Sequence, residues 1–336
     1  MKKRLFPVVL TLATTVGLAA CGGTDTGTGG NGNEAENNEG NASSEDPQFL
    51  NLLTGGTSGT YYPLGGEMAT FISDGTGVET TAQSSNASAE NVAQLSSGDA
   101  EIAFVQTDVM SNAVEGVNSF EGEPVDNVLA LGSLYPETIQ IVTTADSGIE
   151  SVEDLAGKSV SVGAPGSGTY VNAEQILEIH GMSMDDINQQ PLSFDESTSG
   201  IQDGNIDAAF ITAGTPTGAV EGLSATNEVA IVPIAEDKVN ELIETYPYYA
   251  SDVIEAGTYG MENEVQTVAV LAMIAVSDTL SEDLVYNMTK SIYENAENMA
   301  HEKAQFIKLE NALDGIGTDV HPGAQRYYDE QGVSAK

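Results

Sequence analysis

The amino-acid sequence predicts an α/β protein of two similar lobes, each built on parallel-rich sheets, with a hinge cleft between them. Two observations carry that expectation. A strand–loop–helix motif occurs twice: Gly55-Gly56-Thr57-Ser58-Gly59-Thr60-Tyr61 follows the apolar run at 49–53, and Ala164-Pro165-Gly166-Ser167-Gly168-Thr169-Tyr170 follows that at 159–162. A second pair of segments also matches, residues 98–107 with residues 204–213. The spacing is 109 residues between Ser58 and Ser167 and 106 between Gly98 and Gly204, as a duplicated unit requires. The alternative is a pair of generic βα turns in an ordinary α/β protein. Two copies without a third argue against a solenoid.

The elements follow in order. Lys2, Lys3 and Arg4 precede an apolar stretch that ends at Leu18-Ala19-Ala20-Cys21. A basic start, a short apolar run and small residues before a cleavage point predict a signal peptide at 1–20. Leu-Ala-Ala-Cys resembles the bacterial lipobox, whose cysteine is lipidated; the other reading is a cleaved signal with a free thiol. Cys21 is the sole cysteine, so an intrachain disulfide is excluded. Two acyl chains on Cys21 would anchor the chain stably. Residues 22–46 lack aromatic and large aliphatic side chains and read as a disordered tether from Cys21, with a reach of roughly 25–30 Å. No later run is long and apolar enough to span a bilayer.

From Pro47 on, strands are expected at 49–53, 78–83, 102–106 and 128–134. Helices are expected at 62–73, 89–95 and 109–114. Pro63 sits in a first helical turn, where it is tolerated, and Ser88 reads as the N-cap of the second helix. The series then restarts with strands at 139–143, 158–162 and 208–211 and helices at 170–179 and 216–223. A further strand at 267–276 and helices at 282–295, 302–313 and 323–330 complete the chain. The expected division is 47–135 for the first part of lobe 1, 136–267 for lobe 2, and 268–336 for the completion of lobe 1.

Charge narrows the partners. The chain has 10 basic and 51 acidic residues, a net charge of −41. That argues strongly against nucleic acid and against anionic membrane surfaces as partners. The acid is spread along the chain, which favours adaptation of an extracellular surface to high salt or high pH over an acidic docking face. His180, His301 and His321 lack partners at metal-ligand spacing. Neither Gly-rich loop carries a P-loop lysine, and no G-x-S-x-G elbow is present. No metal, cofactor or catalytic group is therefore expected, and the chain does not read as an enzyme.

The only arginines are Arg4 and Arg326, so an Arg–carboxylate fork is not expected to hold a ligand. An anion would rest on backbone N–H groups, hydroxyls and helix dipoles. The two Ser/Gly/Thr loops supply those groups, or serve only as tight βα connections. Tyr61 and Tyr170 stand beside the loops. Asn86 and Gln106 lie at C-terminal strand ends, where α/β sheets bind ligands, and Thr212 and Thr215 hold the analogous place in the second repeat.

Over nearly all of the folded part, the chain resembles the TAXI solute receptors, the extracytoplasmic binding subunits of TRAP transporters. The resemblance rests on residues 54–65 (TGGTSGTYYPLG), 103–108 (AFVQTD), 155–158 (LAGK), 162–169 (VGAPGSGT), 207–210 (DAAF), 213–216 (AGTP) and 321–328 (HPGAQRYY). It implies a type II periplasmic-binding-protein fold. It also implies capture of a small anionic solute (glutamate, glutamine or a C4/C5 dicarboxylate) and delivery to a TRAP membrane permease driven by an ion gradient. The extreme acidity and long tether depart from the common run of that family. The expected site is Thr57, Ser58, Gly59, Thr60, Tyr61, Asn86 and Gln106 from lobe 1, with Gly166, Ser167, Gly168, Thr169 and Thr215 from lobe 2. The expected location is the outer face of the cytoplasmic membrane or the periplasm, lipid-anchored. The alternatives are a lipid-anchored sensory receptor for a membrane kinase and a secreted enzyme on the same scaffold.

Overall fold

Strands alternate with helices from the first described residues onward. The computed structural model describes residues 46–335; the expected signal peptide, Cys21 and nearly all of the tether lie outside them. The first stretch runs β1 (Phe49–Leu53), α1 (Tyr61–Thr76), β2 (Glu79–Gln83), α2 (Ser88–Ser97), β3 (Ile102–Gln106), α3 (Thr107–Glu115) and β4 (Val128–Thr144). Next come β5 (Ser159–Ser161), α4 (Gly168–Ile179), β6 (Asn188–Gln190), α5 (Phe194–Gln202), β7 (Ala208–Ala213) and α6 (Gly218–Ser224). The chain continues through β8 (Val229–Ile231), α7 (Glu236–Thr245) and β9 (Ala250–Ile254) to β10 (Val265–Ser277), α8 (Glu282–Asn295) and α9 (Pro322–Gln331).

The expected parallel sheets are parts of one ten-stranded mixed sheet, ordered β2-β1-β3-β10-β4-β7-β5-β6, with β8 on β4 and β9 on β10. The pairs at its two ends are parallel: β1 with β2 and β3, β5 with β6 and β7. The long strands β4 and β10 run through its centre and pair antiparallel with each other and with their neighbours.

Side-chain alternation along these two strands sorts the core. On β10, Ala272, Ile274 and Val276 join the cluster formed with α1, α8 and α9, while Met273 and Ala275 join that formed with α2 and α3. Further back, Val268 and Val270 belong to a cluster built with α4 and α7. A fourth cluster takes Val142 of β4 with Ala209, Ile211 and Ala213 of β7. On β4 the change from one half to the other falls between Tyr135 and Ile139. Residues 136–138 therefore mark the crossing.

Several expectations are corrected. The strands expected at 128–134 and 139–143 are a single strand of 17 residues. Pro136 stays in it because it faces Leu271 beside a register shift, where its missing N–H is tolerated. The helix expected at 302–313 is two 3-10 turns, Glu302–Phe306 and Leu309–Asn311. Ala304, Ile307 and Ala312 are all buried in the α1/α8 cluster, so the segment follows that surface instead of a helix axis. Ser88 is not the cap of α2. Ala87 is, at φ 71°, and the Ser88 hydroxyl accepts the N–H of Gln106 at 3.1 Å.

Candidate functional site

Both Ser/Gly/Thr loops open onto one cavity, at the crossing of the two sheet halves. From the first half it is lined by Gly55, Gly56, Gly59, Thr60, Tyr61, residues 85–88, Gln106 and Glu137. From the second half come Ala164, Ser167, Gly168, Thr169, Ser193, Phe194, Thr212 and Ala213. The lining contains no Lys, Arg or His.

The loop geometry follows from the local sequence. Ser167 caps α4, its hydroxyl accepting the Tyr170 N–H at 3.3 Å. Gly166 ahead of it has φ +78° and is free to take that conformation for want of a Cβ. Its carbonyl then accepts the N–H groups of Ala89 and Glu90 at the start of α2, at 3.0 and 3.2 Å. The first loop reaches across in turn. The Ser58 carbonyl accepts the Ala219 N–H at 3.2 Å, and the Thr60 hydroxyl donates to the Gly214 carbonyl at 3.3 Å. The first-turn N–H groups of α1 and α4 have no partner inside their own helices, so both termini favour negative charge.

Fully buried Asn172 on α4 ties the elements behind the cavity together. Its Nδ2 donates to Asp108 Oδ2 at 2.8 Å and to the Tyr249 hydroxyl at 2.9 Å. Its Oδ1 accepts from Gln106 Nε2 at 3.2 Å and from Thr212 Oγ1 at 3.0 Å. All its hydrogen-bonding capacity is used.

Two carboxyl groups are buried here. Glu137, 2% exposed, lines the cavity and accepts the Tyr61 hydroxyl at 2.6 Å. Burial pushes its pKa up to about 8, against the opposing hydrogen bond from Tyr61. Asp108 is raised to about 6, again by burial, with the Asn172 amide pulling the other way. Burial and the Glu137 charge hold the phenols of Tyr61 and Tyr135 well above the usual tyrosine range. Gln106 Oε1 is buried without a partner.

Of the residues singled out in the sequence, Gly59, Thr60, Tyr61, Asn86, Gln106, Ser167, Gly168 and Thr169 line the cavity. Thr57, Ser58, Gly166 and Thr215 do not. Thr57 is exposed, and Ser58 and Gly166 contribute carbonyls to the cross-contacts. Thr215 Oγ1 is buried without a partner outside the lining. Glu137, Phe194 and Asn172 escape sequence reasoning. Glu137 had a legible signal, as the single charge in the 17-residue run of β4. Ser193 did too: it forms a capping box with Glu196 that sets Phe194 at the start of α5. Asn172 had none. Among the described residues no cluster of His, Cys, Asp and Glu could hold a metal ion. No helix among them is long and apolar enough to cross a membrane.

A family model described as the NMT1-like family matches residues 52–332. Among solved structures, the fold is similar to that of the alkanesulfonate-binding protein SsuA from Xanthomonas axonopodis pv. citri bound to MOPS. That match has 14% identity over 84% of each chain and a TM-score of 0.51. A protein of Bordetella bronchiseptica RB50 is similar at 16% identity, over 84% of this chain and 82% of that one, with a TM-score of 0.53. The ligand-binding component of an ABC-type import system from Staphylococcus aureus, solved with zinc, is similar at 10% identity, over 85% and 92%, with a TM-score of 0.50. At these identities the likeness establishes the fold: mixed α/β around a central sheet, of the type II periplasmic-binding-protein kind.

Proposed function

The chain belongs to the NMT1-like family, and we propose that it is an extracytoplasmic solute-binding lipoprotein, anchored through Cys21. Two lobes, 47–135 with 268–336 and 136–267, close on a small organic anion, and a membrane permease then receives it. The observation that carries this reading is convergence. Eight of the twelve residues singled out in the sequence, drawn from both repeats, line one cavity at the crossing of the two halves. The resemblance of residues 54–65 and 162–169 to TAXI receptors favours a TRAP permease as the recipient.

The anionic pole of the ligand rests at the N-termini of α1 and α4, among Thr60, Ser167, Gly168 and Thr169. Closure shifts the population because only the closed form touches the ligand from both sides. The cross-contacts of Ser58, Thr60 and Gly166 form in that state. On this reading the ligand is carried to the permease unchanged.

Thermal melting of the purified protein against a panel of amino acids, dicarboxylates and tricarboxylates tests the reading. A ligand bound only by the folded state raises the melting temperature. A specific stabiliser is expected; turnover of a bound acid would overturn the receptor assignment.

A further inference from the structure

Glu137 sets a condition on the ligand that the two loops do not. We infer that the solute carries a protonated amine that docks on Glu137, so that the site selects zwitterions over di-anions. The inference rests on the solute-receptor reading and names the substrate class for the same cavity.

Three observations carry it. The cavity is lined by a carboxyl group that is 98% buried, and its lining holds no cation to pair with that group once it ionises. The hydrogen-bond partners of Glu137 are both neutral, the phenol of Tyr61 and the amide of Gln106. A second acceptor on the same wall, Gln106 Oε1, is buried with no partner. A buried acceptor left unpaired is costly, and a buried carboxylate more so. An ammonium group, with a full charge and three N–H donors, answers both. A second ligand carboxylate in that place would face Glu137 with like charge. The opposite pole of a zwitterion matches the α1 and α4 N-termini, so the cavity is polarised for a molecule charged at both ends.

The titratable groups facing Glu137 are the phenols of Tyr61 on α1 and Tyr135 on β4, and the carboxyl of Asp108 on α3. None is cationic. At neutral pH, burial keeps a proton on Glu137 in the absence of ligand. An ammonium ligand displaces that proton to solvent, and amine affinity therefore rises with pH up to about 8. A di-anion would need the proton to stay, and its affinity would fall over the same range.

The experiment is titration calorimetry of the purified protein at pH 7, in buffers of different ionisation heat. The probes are L-glutamate and L-glutamine, with glutarate and 2-oxoglutarate as partners lacking the amine. Amine ligands are expected to bind tighter by roughly tenfold or more, with release of close to one proton. Glu137→Gln is expected to weaken them by roughly 30-fold or more, as loss of one partner of a buried charge pair does, with little effect on glutarate. Glu137→Asp, which keeps the charge, should retain part of the amine preference. A melting curve of each variant reports folding separately.

Glutarate binding as tightly as glutamate, or glutamate affinity within threefold in Glu137→Gln, would overturn the inference while leaving a solute receptor standing. If no compound in either set binds, the reading for small organic anions falls, and this inference with it.

Discussion

The loops before α1 and α4 are nearly the same in sequence and do different work. Aligned on their tyrosines, Gly59-Thr60-Tyr61 matches Gly168-Thr169-Tyr170. Yet α1 starts at Tyr61, whereas α4 starts two aligned positions earlier, at Gly168. The cause is the cap. Ser167 takes an extended conformation and its side chain closes the first turn of α4. Thr60 is already in the helical region, makes no side-chain cap, and spends its hydroxyl on Gly214 across the cleft. The offset decides what each tyrosine meets. Tyr61 is buried, stacks on Phe104 with centroids 4.8 Å apart and reaches Glu137. Tyr170 is half-buried and packs on the core of the second half. A repeated motif thus encodes strand, turn and helix, while the residue that starts the helix assigns the side chains.

The largest consequence lies at Glu137, which only the first loop touches. Its carboxyl titrates near the usual 4.5 in the unfolded chain and at about 8 in the folded protein. Between those values the folded state holds a proton that the unfolded state has lost, so stability falls as pH rises through the window. Asp108 adds the same trend between 3.8 and about 6. Together they are worth a few kcal/mol across pH 4.5 to 8. Glu137→Gln is expected to flatten most of this slope and to melt higher than the parent at pH 8.5, with the two close at pH 5. Thermal melts at both pH values check it, and a parent with a flat profile would sink the account. The variant that loses amine binding should therefore be the more stable one, as happens where a site holds a group for function at the expense of the fold.

Two glycines sharpen the comparison further. A Cβ on Gly168 would lie 1.3 Å from Gln106 Oε1, whereas one on Gly59 meets its nearest neighbour, the Gly56 carbonyl, at 3.4 Å. Gly168→Ala must push the Gln106 amide out of its place on Asn172. An overpacking cost of about 1–3 kcal/mol, where it falls on the ligand-bound form, is a roughly 5- to 150-fold loss of ligand affinity. Gly59→Ala should cost less than about threefold, since its contacts are ordinary. Equal losses at the two positions would mean that the loops are equivalent after all.

The tyrosines come next. Tyr61→Phe removes the phenol that donates to the buried Glu137 carboxyl at 2.6 Å and is expected to cost about 1–3 kcal/mol in stability at pH 8. Less is lost at pH 5, where Glu137 is protonated. Tyr170→Phe should stay within about 0.5 kcal/mol, as at a partly exposed site. Denaturant titration of both variants at the two pH values reads the difference.

How much of this was legible depends on what each residue answers to. Strands β1 and β3 and helix α8 could be read from apolar runs and periodicity, because local pattern and burial agree there. The break placed near Pro136 was wrong because its tolerance depends on a register shift in the partner strand, which β4 itself does not encode. The 302–313 segment failed for a similar reason: Ile307 answers to the surface beneath it, not to its neighbours in sequence. In the site, the loops were visible as motifs. Asn172 was not, since its four partners lie 40 to 77 residues away in sequence and nothing nearby marks it. Glu137 lay in plain view as a lone charge in an apolar strand, and the abundance of acid elsewhere hid it.

The smallest effect tests the origin of the whole difference, the cap. Ser167→Ala removes the acceptor for the Tyr170 N–H and should destabilise the protein by about 1 kcal/mol. Ser58→Ala, at the aligned position, removes a side chain that caps nothing, since the contact made by Ser58 to Ala219 runs through its carbonyl. Its cost should stay below about 0.5 kcal/mol. The carbonyl contact survives both substitutions, so cross-cleft geometry is held constant while the caps differ. Ser167→Asp restores an acceptor at the cap and should recover stability, but it sets a negative charge where the anionic pole of the proposed ligand would rest. Stability and affinity then part company at one residue: a melt near that of the parent with binding lost. Recovery of both together would place the anion elsewhere in the cavity and leave Ser167 a structural cap alone.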